Sequence, residues 1–290
     1  MNKRHPCLAI CILGVASATL PIAAAPQYTT ITYPGAIATS LDGGPNPQGT
    51  NIGSYTDTGG VTHGFVLQKG VFTSFDPPGS TQTTPNWISP QGVIVGGYLD
   101  SSGMSHGFVL NSGVFTTVDF PGAAGTVLTS LDRSGELSGE SCVVASCASG
   151  VTHSFVLSKK GVISGFDPPG AVSSVASVVI ASRAVFGAYT DRAGVNHGYQ
   201  PYHGRFTTID YPGAIFTFVG GANPEGDSVG AYTDTWNVTH SFLLRNGVFT
   251  SFDSPGTVGL SDAAGINPHG VIVGLYLDSR GVQRGYLRTP

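Results

Sequence analysis

Carboxylates and imidazoles recur through the chain at spacings that could support acid–base or metal chemistry. Asp57 is followed six residues later by His63, and the hairpin acids Asp100, Asp191, Asp234 and Asp278 repeat the arrangement. A second series, Asp76, Asp119, Asp167, Asp210 and Asp253, stands at the end of another recurring phrase. An Asp near a His suggests general acid–base work, and a ring of carboxylates suggests a cation. Repetition argues against both. An enzyme needs one site, and residues repeated once per structural unit are held apart by the width of that unit. Arg284 stands where the other copies have histidine, so imidazole is dispensable there. Both series are read as turn residues, their side chains accepting backbone N–H groups nearby.

Residues outside the pattern are better candidates. Asp42 and Asp262 are unrepeated acids on the inner segments of the first and sixth units, Trp87 lies on the inner segment of the second, and Trp236 replaces a small hairpin residue. Two carboxylates near an axial pocket could hold a cation or sugar hydroxyls, with the aromatics stacking on a ring. The plainer alternative is that Asp42 and Asp262 face channel water. No nucleophile motif, zinc spacing, phosphate loop or calcium loop is present, so no catalytic residue, metal site or cofactor is assigned. Asn237-Val238-Thr239 fits a glycosylation acceptor, a pattern common by chance.

The elements that must position these residues come from an internal repeat. Phe72-Thr73-Ser74-Phe75-Asp76-Pro77-Pro78-Gly79 returns at 115–122, 163–170, 206–213 and 249–256, with a further copy at 28–35. His63-Gly64-Phe65-Val66-Leu67 returns at His106, His153, His197 and His240, and as Arg284-Gly285-Tyr286-Leu287. Each copy holds about four runs rich in Phe, Tyr, Val, Ile and Thr, separated by Gly, Pro, Asn or Asp, as strands and turns require. In the second copy these runs are 81–88, 93–99, 105–110 and 114–119. Four strands in a repeat of this length match a propeller blade. The phase is informative: the repeats begin with a fourth-strand phrase and end after a third-strand phrase. The fold class expected is therefore all-β, a six-bladed β-propeller of four-stranded blades in which the N-terminal strand completes the last blade and leaves no edge between the first and last. In the fourth copy, Ala181-Ser182-Arg183 replaces the usual Asn-Pro-x-Gly turn, and Tyr199-Gln200-Pro201 is expected to break the third strand.

Lys3, Arg4 and the apolar run from Cys7 to Ala25, ending in Ala23-Ala24-Ala25, read as a signal peptide over 1–24, with the repeat domain at 26–290. Pro21 and the small-residue end argue against an uncleaved anchor. Without Lys3 and Arg4 the chain carries 11 basic against 17 acidic residues, a net charge of −6. That balance gives nucleic acid no basic footprint. With 40% hydrophobic residues and 15 Phe, the chain can bury a core. Cys142 and Cys147 are the cysteines outside the leader, and in an exported protein a local disulfide is expected of them. A metal pair would need ligands that the flanking Ser, Val, Ala and Gly do not supply.

The phrases Tyr-Thr-Asp-x-x-Gly-x-x-His-Gly-Phe at 55–65 and Phe-Thr-Thr-Ile-Asp-x-Pro-Gly-Ala at 206–214 resemble the HAF-type extracellular repeat of exported bacterial proteins, over essentially all of 28–290. The resemblance implies export and repeat architecture and transfers no activity. The expectation is a monomeric, secreted or envelope-located, non-catalytic module, with no transmembrane segment once the leader is removed. Its partner would be a glycan, a protein or another envelope component. The alternative is a hydrolase or lyase acting in the central channel through Asp42 or Asp262.

Overall fold

A computed structural model describes residues 25–180, 184–202 and 205–290; the expected signal peptide at 1–24 and the Ala181-Ser182-Arg183 departure lie outside the described residues. The chain is a β-propeller of six four-stranded blades. Four blades are separate sheets, and the fourth and fifth share an eight-stranded sheet through one parallel bridge between Asn196 and Phe216. In the second blade the strands, from axis to rim, are Gln82–Ile88, Ile94–Leu99, Ser105–Asn111 and Val114–Val118. The sixth blade is completed from the other end of the chain: Gln27–Ile31 lies antiparallel on Gln283–Thr289, with Thr29 opposite Leu287. Among the described residues, no helix is long and apolar enough to cross a membrane.

Each blade is held by the same contact. The second strand carries a glycine, as at Gly96 and Gly139, where a Cβ would run into an inner-strand carbonyl (Thr84, Val127) and the ring of a third-strand aromatic (Phe108, Phe155). Those aromatics are fully buried, as are Phe65, Tyr199, Phe242 and Tyr286 at the corresponding positions. Neighbouring blades lock through the turn residues: Tyr33 stacks on Tyr55 and Tyr211 on Tyr232, each at 3.6 Å between ring centroids. Both pairs lie face to face and bury aromatic surface between blades.

The two repeated acid series part company. The hairpin acids cap their turns as expected: Asp57 Oδ1 accepts the N–H groups of Gly59 and Val61 at 2.8 and 2.9 Å. The Asp76 series does not. Its turn closes through Ser80 N–H donating to Pro77 O at 3.1 Å, with Gly79 at φ 81°, the geometry of a type II turn. The Asp76 carboxylate instead meets His63 Nδ1 at 2.7 Å, and Asp119, Asp167, Asp210 and Asp253 meet their own histidines at 2.8–3.1 Å. In the sixth blade Arg284 Nε donates to Asp278 at 3.1 Å, so the guanidinium takes over the hairpin half of the histidine's role. The third strand of the fourth blade is also unbroken: Asn196–Tyr202 runs through Pro201, which pairs with Phe206 on the outer strand.

Candidate functional site

Every inner strand contains an irregularity at the same point, and it builds the channel; the fourth blade has a second, between Ala171 and Ser173. The register against the second strand slips by one residue between Pro85 and Trp87, Leu128 and Ser130, Ala176 and Val178, Val219 and Gly221, and Ala263 and Gly265. In the first blade the same slip falls between Thr39 and Gly43. A bulge leaves one residue unpaired and re-aims its side chain. Here the unpaired residues are Asn86, Thr129, Ser177, Gly220 and Ala264, with Asp42 in the equivalent stretch of the first blade, and all of them line one axial cavity of about 450 Å³. The six differ in residue type although the blades around them repeat. Two residues earlier on the inner strands, Thr84, Val127, Val175, Phe218 and Asp262 add to the wall.

Three carboxylic acids face this cavity, and no lysine, arginine or histidine is among the described residues that line it. Asp42 Oδ2 accepts the Ser54 hydroxyl at 2.9 Å, and Ser54 is in turn linked to Ser40 at 2.8 Å. Burial raises the Asp42 pKa to about 6 against the pull of these hydroxyls, and the charge of Asp262 pushes in the same direction. Asp262 is raised to about 6 by burial, and its Oδ1 has no hydrogen-bond partner. Glu140, on the second strand of the third blade, is raised to about 7 by burial, offset in part by a Thr152 hydrogen bond. Desolvation disfavours each charged form. Among the described residues there is no cluster of His, Cys, Asp and Glu able to hold a metal ion.

The cysteine loop covers the cavity on the side of the Asp–His hairpins. Cys142 and Cys147 form a disulfide with their Cα atoms 5.3 Å apart. The loop is pinned to the second blade by Ser105 N–H donating to Ala145 O at 2.8 Å and Cys147 N–H donating to Ser105 Oγ at 3.1 Å. Ser146, Cys147 and Ala148 thereby become part of the wall. Gly125 accommodates the loop, because a Cβ there would press on Ala145 O.

Of the four residues singled out from the sequence, Asp42 and Asp262 share the axial cavity. Trp87 lines a second, apolar cavity at the opposite end of the axis and packs against clusters drawn from blades on both sides of the channel. Trp236 is 83% exposed on a hairpin tip and lines neither of these cavities. Sequence reasoning passed over Glu140 and Asn86. The signal for Glu140 was available: it stands in Leu137-Ser138-Gly139-Glu140, where other copies have Gly97, Ala188 or Ala231.

No family model matches the chain, and no curated protein does. Solved propellers do. A TolB candidate from Agrobacterium tumefaciens superposes with a TM-score of 0.56 at 14% identity, covering 87% of this chain and 88% of that one. An inactivated variant of virginiamycin B lyase from Staphylococcus aureus, with quinupristin, gives 0.53 at 11%, over 92% and 100%. The six-bladed fucose-recognising lectin of Aleuria aurantia gives 0.51 at 10%, over 86% and 91%. At these identities the likeness establishes the fold.

Proposed function

We propose that the protein is an exported, monomeric, non-catalytic binding propeller of the HAF-repeat type that holds a glycan in its axial cavity. The observation that carries this reading is that the six axial bulge positions differ while the blades repeat. Positions free of the packing that makes the blades repeat are where a ligand-specific lining can be built. The lining suits a saccharide: Asn86, Gln82 and Thr84 offer donors and acceptors to hydroxyl groups, and Phe218 and Tyr98 offer apolar faces to a sugar ring. Three acids without a lining cation favour neutral or amine-bearing sugars over uronic or sulfated ones. The reading is supported by the similar fungal lectin, a six-bladed propeller that recognises fucose. The disulfide fits an oxidising compartment, in agreement with the leader. The test is isothermal calorimetry of residues 26–290 against neutral, amino and acidic oligosaccharides. Saturable binding of neutral or amino sugars, weakened by Asp262→Asn, is expected; binding of none of them removes the glycan reading.

A second reading, a hydrolase or lyase in the channel, is favoured by one observation. Carboxyl groups with pKa values of about 6 to 7 are suited to act as general acids near neutral pH. Release of product from a bound oligosaccharide, abolished by Glu140→Gln or Asp262→Asn, would establish it in place of simple binding.

A further inference from the structure

Charge is sorted between the two faces of the ring. The acids of the Asp57 and Asp76 series stand on the face of the Asp–His hairpins, with Arg192, Arg280 and Arg284 as its arginines. Every lysine of the repeat domain stands on the opposite face: Lys69, Lys159 and Lys160, in the turns from third to outer strand of the first and third blades. All three are exposed, and among the described residues none has an ion-pair partner. Arg133 and Arg205 add exposed positive charge there, while Arg245 is paired with Asp227 at 2.8 Å. Among the described residues Glu225 is the exposed acid of this face.

The same turns carry the most exposed aliphatic side chains. Val71, Val114, Val162 and Val248 are 59–65% exposed, and no other large aliphatic residue described is more so. Three of these turns are alike. Gln68 pairs with Val71, Asn111 with Val114 and Arg245 with Val248. The residues between them, such as Lys69 at φ 50° and Gly70 at φ 81°, are left-handed, as in a two-residue type I′ hairpin. Equal registers in blades related by rotation about one axis hold these valines at one height. Valines at one height, with lysines beside them, match a flat, apolar and negatively charged surface. A folded protein partner would have to meet tips set a blade's width apart.

We propose that this face docks on an anionic lipid bilayer, with the valine tips in the headgroup layer and the lysines on lipid phosphates. Such binding draws on buried apolar area and on attraction to anionic lipid together. The chain is net negative, but the acids of the hairpin face stand at the far ends of six- and seven-residue strands, roughly 20 Å away. That is about twice the Debye length at physiological salt, so the bilayer meets chiefly the basic face. The chain enters the ring on this side, at Gln27 opposite Thr289, so the expected leader is joined to the domain next to the lipid. The hairpin face and the axial cavity then point away from the bilayer, whatever that cavity holds.

The experiment sediments residues 26–290 with vesicles of phosphatidylcholine alone and of phosphatidylcholine mixed with phosphatidylglycerol. At low salt the mixed vesicles are expected to retain the protein at least about tenfold more tightly, and added salt to release it. Lys69→Gln with Lys159→Gln and Lys160→Gln should weaken retention severalfold. Val71→Ser with Val114→Ser and Val248→Ser should do the same, with melting unchanged in both triple variants. Val71→Trp should gain a blue-shifted emission on the mixed vesicles, while the wild type, whose exposed Trp236 lies on the hairpin face, should keep its spectrum. Equal retention on both kinds of vesicle, or none on either, would overturn the docking, as would full retention in either triple variant. A blue shift in the wild type would put the hairpin face on the lipid instead. Binding of soluble polyphosphate without retention on vesicles would make a free phosphate polymer the partner and overturn the bilayer.

Discussion

Asp262 raises the pKa of Asp42 across the seam between the last and first blades, adding to the burial that already holds Asp42 near 6. The two acids stand on the inner segments of the two blades that are joined where Gln27–Ile31 pairs with Gln283–Thr289. Closure and site are therefore linked.

The pH dependence follows from these acids. Burial holds Asp42, Asp262 and Glu140 at about 6, 6 and 7 in the folded state, above the ordinary values of 3.8 for Asp and 4.5 for Glu. Between those limits the folded state binds more protons than the unfolded one, so stability falls as pH rises. Their favourable contribution is complete below the ordinary values and is lost as pH climbs through about 6 and 7. His63, raised by its hydrogen bond to Asp76, acts in the same direction, so the variants carry the test. The melting temperature should drop from pH 5 to pH 8, and Asp262→Asn and Glu140→Gln should each flatten that drop. A slope identical in wild type and both variants would contradict the burial of these charges.

Closure predicts the effect of truncation. Deleting residues 26–35 removes the outer strand of the sixth blade together with Tyr33, whose ring stacks on Tyr55. The melting temperature should fall by roughly 10 °C or more, well beyond what trimming an unpaired terminus does. A truncated chain melting within about a degree or two of the intact one would show that the ring does not depend on this strand.

The cysteine loop separates stability from binding. A loop this short gains only about 2 kcal/mol from its bridge in the chain-entropy picture. The double change Cys142→Ser, Cys147→Ser should therefore lower melting by several degrees. Ligand affinity should fall more sharply, because Ser146, Cys147 and Ala148 form part of the cavity wall. Unchanged affinity in the double variant would remove the loop from the site.

The architecture was legible because each blade repeats its own punctuation. Turn phrases such as Asp76-Pro77-Pro78-Gly79 mark strand ends, and the split between Tyr28 and Tyr286 marks ring closure. The pairing of Asp76 with His63 was not legible, since the two are thirteen residues apart and meet through the register of the third and outer strands. Pro201 was misleading for a related reason: a proline deprives a strand of one donor, yet here the strand runs on. The axial bulges were invisible for a third reason. A one-residue slip leaves no mark on composition, and it decides whether Asn86, Thr129 or Ser177 faces the channel. Asp42 and Asp262 stood out because they are charged; their uncharged neighbours did not.

The central claim, that the ligand lies in the channel and not on the hairpin face, is tested most directly by comparing two variants in one calorimetric titration with a neutral or amino oligosaccharide. Thr84 is an exposed inner-strand residue in the axial cavity, and Trp236 is exposed on a hairpin tip outside it. Thr84→Trp, which plugs the channel, should abolish binding with melting preserved, and Trp236→Ala should leave affinity unchanged. Full affinity in Thr84→Trp, or its loss in Trp236→Ala alone, would contradict the account.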